Sequence, residues 1–201
     1  MRRAAIVSPV RSAVGVFGGS LRSVPVEKMS AAVIGAILER TGIPPKIIEE
    51  VIFAQSYASG ETPCVGRWAA LEAGLPIETA GMQIDRRCGG GLQAVITAAM
   101  MVQTGATDVV IAGGVESMSN VEYYTNDMRW GKRAGSVKMH DRLDRGRERS
   151  QPVERFGEIS GMIETAENLV KAGADALVIG TFLEKGGSLT KLEEIAKAIQ
   201  S

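Results

Sequence analysis

The chemistry of this chain centres on one thiol. Cys88 stands in "IDRRCGGGLQA", between an apparent strand and an apparent helix and directly before three glycines. At the start of an apolar helix a thiol meets unpaired amides and the positive end of the helix dipole. Both favour the thiolate, the form that attacks carbonyl carbon. Arg86 and Arg87 precede it, and because side chains alternate along a strand, at most one of them faces the way the thiol does. Gly89, Gly90 and Gly91 remove side chains where a substrate carbonyl would approach and leave backbone N–H groups open as oxyanion donors. Close packing of the helix backbone is a second reason for such a run, and the two are compatible. The combination fits nucleophilic acyl transfer through a covalent intermediate; the competing reading of any single thiol is inert filler in the core. A phosphate loop is not indicated: no G-x-x-x-x-G-K-[ST] pattern occurs, and no acidic ribose ligand follows at the expected place.

The remaining chemistry-bearing residues are sparse. Cys64 and Cys88 are the only cysteines and His140 the only histidine, too few for a disulfide framework or a metal centre. His140, in the charged stretch "KMHDRLD", reads as a solvated loop residue and not as a catalytic base. Lys plus Arg and Asp plus Glu each total 23, so the formal charge is zero and nothing in the bulk electrostatics recruits nucleic acid or an anionic membrane. The arginines of "DMRWGKRAG" and "RLDRGRERSQPVER" are interleaved with acidic residues and carry no recognition motif, which argues further against nucleic acid. No apolar run approaches the ~20 residues of a membrane span, and the opening "MRRAAIVSPVRSAVG" is too short in apolar residues for a secretory signal. A cytoplasmic globular protein is expected.

These residues need a scaffold, and the sequence describes one. "AAIVSPVRSAVG" reads as a buried strand entering a loop. "VEKMSAAVIGAILERTG" reads as a helix, with Met29, Val33, Ile34 and Ile37 at helical spacing and Gly42 as its stop. A strand follows in "EEVIFAQSYA", then a helix in "TPCVGRWAALEAGLP", with Thr62 as N-cap, Pro63 as first helical residue, and Gly74 and Pro76 ending it. "AGMQIDRRC" is a third strand, "GGGLQAVITAAMMVQTG" a third helix, and "DVVIAGGVES" a fourth strand buried on both faces. Strand–helix alternation over residues 1–119 predicts a layered α/β fold with parallel pairings and right-handed crossovers. Residues 120–157 are charge-dense and loop-rich, "EISGMIETAENLV" returns to a helical pattern, and the strand "ADALVIGT" and the helix "LTKLEEIAKAI", capped by Ser188, close the chain.

Several of these segments carry a family resemblance. "RRCGGGLQAV" resembles the acylated-cysteine motif Cys-x-Ser-Gly-Leu-x-Ala of the thiolases, and "IAGGVESMS" is similar to the Gly-Gly-x-Glu-x-Met-Ser segment that follows it. "AAIVSPVRSAVGVFGGSL", "GRWAALEAGLP" and "MIETAENL" match the same family in the same order, so the likeness covers about residues 2–170. It implies a thiolase-like layered α/β half-fold. It also implies coenzyme-A-dependent carbon–carbon chemistry: a cysteine takes an acyl group from acyl-CoA, and a second acyl-CoA, deprotonated at its α-carbon, attacks that thioester; the reverse cleaves a 3-ketoacyl-CoA. No resident cofactor is implied, the CoA thioester being substrate. Cys88 takes the nucleophile's place. The excursion from residue 120 corresponds to the start of the domain that covers CoA, where Arg129, Lys132 and Arg133 are candidates for its phosphates. The family's dimer contact corresponds to about Met82–Arg87, so a homodimer or higher oligomer is expected.

The sequence departs from the family at four places. Thiolases are similar to two fused copies of one α/β half. The second supplies an Asn-x-x-Gly-His-Pro-type histidine that activates the nucleophile and a Cys-x-Gly-Gly cysteine that serves as acid and base, and neither segment occurs in these 201 residues. Gly90 replaces the usual serine, and Cys64 stands where a small residue is common, which reads as packing. Residues 171–201 instead resemble a late βα unit of a phosphate-binding (βα)₈ barrel, with Gly180 and Gly186–Gly187 as its turns. One such unit makes no barrel; its strand is of a length to fill an open sheet edge. The expected organisation is a core over 1–119, the start of a CoA-covering loop domain over 120–170 and a C-terminal βα segment over 171–201. Two functions are compatible with it: a thiolase-type acyltransferase, with a complementing chain as a possible partner, or a non-catalytic acyl-CoA-binding or assembly module.

Overall fold

The computed structural model describes residues 2–158 and 161–173. The expectations placed on "ADALVIGT", on Gly180 and Gly186–Gly187 and on the final helix lie outside the described residues. The chain divides into two compact units, Met1–Leu143 and Asp144–Ser201.

Three parallel strands form the heart of the first unit: β1 (Glu50–Ala54), β2 (Ala80–Ile84) and β3 (Val110–Gly114), in the order β2-β1-β3. Glu50 is in register with Ala80 on one side and with Val110 on the other. β1 is central, and Val51 to Ala54 are all buried, which is why this strand reads as a continuous apolar run and does not alternate. Its alternation appears instead in which layer each residue meets. Val51 and Phe53 join Ile34 of α1 (Val26–Thr41) and Val65 and Ala69 of α2 (Val65–Glu72) in one core. Ile52 joins Ala94 and Ala98 of α3 (Gly90–Thr104) in a second core on the other face. The result is a three-layer α/β/α arrangement.

The helix ends follow from local chemistry. Gly42 and Gly105 stop α1 and α3 in the left-handed conformation, at φ of 64° and 77°. α2 begins later than expected. Its N-cap is Cys64, and the Val65 N–H donates to Gln83 Oε1 on β2 at 2.8 Å. The expected cap, Thr62, is buried and donates its hydroxyl to Glu27 of α1 at 2.9 Å. Local propensity marked the right neighbourhood, and a tertiary partner moved the cap.

The first expected strand does not form. Residues 2–16 have no regular secondary structure, and Ile6, Val7, Val14 and Val16 are exposed. An apolar run becomes a strand only by pairing with another strand, and residues 2–16 pair with neither outer edge of the sheet, β2 or β3. α3 likewise leaves Leu92, Ile96 and Met100 exposed, four residues apart on one face.

Beyond β3, the loop-rich character expected from residue 120 is observed, with a two-residue antiparallel ribbon of β4 (Tyr123–Tyr124) and β5 (His140–Asp141). Glu122 ties this part to the loop after β1: Oε1 accepts from Gly60 N–H at 3.2 Å and from Arg142 Nη1 at 2.6 Å. Desolvation by itself would raise the Glu122 pKa, but its own N–H, the Gly60 N–H and the Arg142 guanidinium outweigh it and hold the carboxyl below its ordinary range. A depressed carboxylate stabilises above its unfolded pKa, and that contribution disappears as pH falls through the folded value. The stability gap between the wild type and Glu122→Gln is therefore expected to be widest near neutrality and to close in acid, as chemical denaturation across pH would measure. Both side chains are about one-third exposed, so the gap is small; a gap that persists unchanged in acid contradicts the assignment.

α4 (Arg142–Glu148) carries two ion pairs at i,i+3 spacing, Arg145–Glu148 and Arg147–Asp144. In the second unit follow the short α5 (Val153–Phe156) and α6 (Met162–Lys171), the latter where the helical pattern resumes. No helix among the described residues is long and apolar enough to cross a membrane.

Candidate active site

The site lies where loops leave the C-terminal ends of the parallel strands, the usual place for ligands in such sheets. After β2 the chain runs through Asp85, Arg86 and Arg87, makes one tight turn over Arg87–Gly89, and enters α3 at Gly90. Cys88 sits in that turn and is exposed. Of the two readings of this thiol, filler is not what the fold makes of it.

The glycines that follow have different reasons for being glycine. Gly89 donates its N–H to Arg86 O at 3.0 Å, and Gly90 donates its own to Arg87 O. Those two amides close the turn, which corrects the expectation of three open donors. Gly90 is buried on the end of β1, where an added Cβ would lie 2.8 Å from Ala54 Cβ. Gly91 is open, with nothing within 4 Å of an added Cβ. The packing and approach explanations of the run thus both hold, at different residues.

The serine commonly found at the position of Gly90 is incompatible with Ala54 as it stands. Gly90→Ala is expected to cost about 1–3 kcal/mol by overpacking, and Ala54→Gly in the same chain should recover most of it. Denaturant midpoints of the two single variants and the double variant measure this; additive losses would show that the two positions do not compete for the same space.

Neither arginine is directed at the thiol. Arg86 Nη1 donates to Gln93 Oε1 on α3. Arg87 Nη1 donates to Ser56 O at 2.8 Å and lies 3.3 Å from Asp85 Oδ2, with its guanidinium 5.8 Å from the Tyr57 ring centroid. From the β3 side, Glu116 accepts the Ser56 N–H at 2.7 Å and the Tyr57 N–H at 3.3 Å. Asp85, Ser56, Tyr57 and Glu116 had no assigned part in the sequence reading. The available signal was position: each lies within three residues of the C-terminal end of a strand, where a parallel sheet builds its sites.

The other candidates stand apart from this network. Cys64 is half-buried, with its thiol donating to Gly81 O at 3.5 Å. His140 belongs to β5 and not to a solvated loop; it is half-buried, and its ring lies 5.5 Å from that of Tyr124. Arg129, Lys132 and Arg133 are exposed, and Lys132 is tied to Ser136 O and Asp127. No hydrogen bond, ion pair or ring contact among the described residues joins these four basic residues to the turn that bears Cys88.

Comparison with known proteins gives one answer. The family model described as "Thiolase, N-terminal domain" matches residues 4–171. An acetyl-CoA acetyltransferase of Cupriavidus necator is 42% identical over 138 residues, 69% of this chain and 35% of that protein. One of Schizosaccharomyces pombe is 34% identical over 180 residues, 88% of this chain and 45% of the other. The crystal structure of the Bacillus anthracis acetyl-CoA acetyltransferase superposes with a TM-score of 0.73 at 37% identity, covering 81% of this chain and 40% of that one. The chain therefore spans less than half the length of these relatives.

Proposed function

Because the chain belongs to the thiolase family through its N-terminal domain, we propose that it accepts an acyl group from an acyl-CoA on Cys88. The Cys88 sulfur attacks the thioester carbonyl carbon, the carbonyl oxygen carries negative charge in the tetrahedral intermediate, and the carbon–sulfur bond to CoA breaks. CoA leaves as a thiolate and takes up a proton; the acyl group remains as a thioester on the protein. Gly91 is the glycine of the three whose amide is assigned to the developing oxyanion. Arg129, Lys132 and Arg133 are assigned to the CoA phosphates as exposed cations on the excursion after β3. One observation carries this reading: Cys88, the cysteine of the motif that resembles the family's, is exposed in the turn that opens α3.

The acid–base step on a second acyl-CoA requires a proton acceptor, and no residue of this chain is assigned to it. Acylation is thus the part proposed for these residues, and condensation or thiolysis the activity of the assembled enzyme. Association is proposed through the edge of β2, with a second copy, and through the exposed face of α3, with a complementing partner. Both surfaces are unpartnered among the described residues. The test is incubation with acetyl-CoA, intact mass and a peptide map. One acetyl group on the Cys88 peptide is expected, without acetoacetyl-CoA formation by the chain alone. A protein that binds acetyl-CoA yet stays unmodified would transfer the assignment to a non-catalytic acyl-CoA-binding module.

A further inference from the structure

We propose that Arg87 is a positioning residue, fixing the wall of the site beside Cys88 by clamping the Ser56–Tyr57 loop. Arg87 adopts φ of 48°, a left-handed conformation that residues other than glycine take at an energetic cost; Ser8 is the only other such residue among those described. Ser8 lies in the irregular N-terminal stretch, whereas Arg87 directly precedes the nucleophile.

The left-handed backbone brings two bonds into reach. It presents the Arg87 N–H to Asp85 Oδ1 at 2.8 Å, and it accompanies the side chain's reach to Ser56 O at 2.8 Å. Glu116 takes the Ser56 and Tyr57 N–H groups from the opposite side. The Ser56 residue is thus held by its carbonyl from the end of β2 and by its amide from the end of β3, while it continues the chain from β1. Three strand ends are locked together around one cysteine.

These contacts are poor candidates for a purely stabilising role. The Arg87 and Asp85 side chains are 55% and 47% exposed, and exposed ion pairs add little to stability. A strained backbone retained for weakly stabilising contacts is explained if what they secure is geometry: a fixed approach to the Cys88 sulfur for the thioester. The inference rests on Cys88 being an acyl acceptor, and its test is built so that the two can fail separately.

Three variants of the full chain, Arg87→Met, Arg87→Lys and Arg87→Gly, are followed by acetylation with acetyl-CoA, alkylation with iodoacetamide, amide exchange and Tm. In Arg87→Met the Ser56 and Tyr57 amides should exchange about tenfold faster. Acetylation of Cys88 should slow about tenfold, while alkylation by the small reagent, which needs no oriented thioester, changes less than about twofold. Arg87→Lys should recover part of the loss, since one ammonium reaches either Ser56 O or Asp85 but not both. Arg87→Gly is the decisive arm. Glycine accepts the left-handed backbone without strain, so its Tm should not fall although acetylation falls as in Arg87→Met. Acetylation and Tm declining in parallel in that variant, or unchanged exchange at Ser56 and Tyr57 in Arg87→Met, overturns the proposal. If the wild type takes up no acetyl group, the acyl-acceptor reading fails, and exchange together with Tm still decides whether the clamp exists.

Discussion

Cys88→Ser is expected to lose acylation by acetyl-CoA, by at least about 10²-fold and up to about 10⁴-fold, the range that an absent general base accounts for. A thiol is partly ionised at neutral pH and strongly nucleophilic without assistance, whereas an alcohol attacks only when a base removes its proton. No such base adjoins Cys88 among the described residues. The one histidine packs on Tyr124, and the carboxylates nearby are engaged: Asp85 with Arg87, Glu116 with the amides of Ser56 and Tyr57. The substitution should leave folding unchanged, because Cys88 is exposed and its side chain packs against no core residue. Cys64→Ala is the control. Its half-buried thiol contributes one weak bond to Gly81 O and should not affect acetyl uptake. Mass spectrometry of time courses for the wild type and both variants gives the answer. Acetylation of the serine variant at a rate within tenfold of the wild type would show that a base acts on position 88 after all.

The largest effect on stability is expected at Gly66 and Gly81. α2 crosses the sheet so closely that a Cβ on Gly66 would stand 2.7 Å from Val51 O and closer still to Met82 O. A Cβ on Gly81 would stand 2.6 Å from Arg67 Cβ and closer still to that residue's backbone. Backbone atoms cannot swing aside as a flexible side-chain end can, so either alanine must lift the helix from the strands. That movement also strains the Val65 N–H bond to Gln83, the Arg67 guanidinium bonds to Ile77 O and Thr79 O, and the packing of Ala69 and Ala70, both fully buried. Each substitution should cost about 3 kcal/mol or more, at or beyond the top of the usual overpacking range, which is a large share of the stability of a domain of this size. Denaturant unfolding followed by circular dichroism would test it. A loss below about 1 kcal/mol for either variant would mean that the helix and sheet are not in contact as described.

Much of this architecture is written locally. α1, the three parallel strands, α3 and the glycine stops at Gly42 and Gly105 follow from apolar period and turn chemistry within a few residues of each position. The candidate nucleophile, Cys88, was also legible, because its motif is contiguous: strand, turn, cysteine, glycines, helix. What failed to read were features whose cause lies elsewhere in the chain. "AAIVSPVRSAVG" has the composition of a buried strand, yet pairing is decided by neighbours, and none flanks it among the described residues. Thr62 has the chemistry of an N-cap, but Gln83 on the adjacent strand caps the helix first and Glu27 occupies the threonine.

By itself, then, the sequence marked Cys88 as the candidate nucleophile, most of the helices and strands of the core, and the family to which they belong, because each of these is encoded in short runs whose periodicity and turn residues act locally. Only the tertiary structure decided that Gly90 answers to Ala54, that two of the three glycine amides are committed to the turn, and that Arg87 faces Ser56 and Asp85 instead of the thiol. For Gly90 and Arg87 the physical reason is the same: a close contact or a hydrogen-bond partner from the end of β1, Ala54 or Ser56, distant in sequence, competes with the local preference, and no local pattern records which partner arrives.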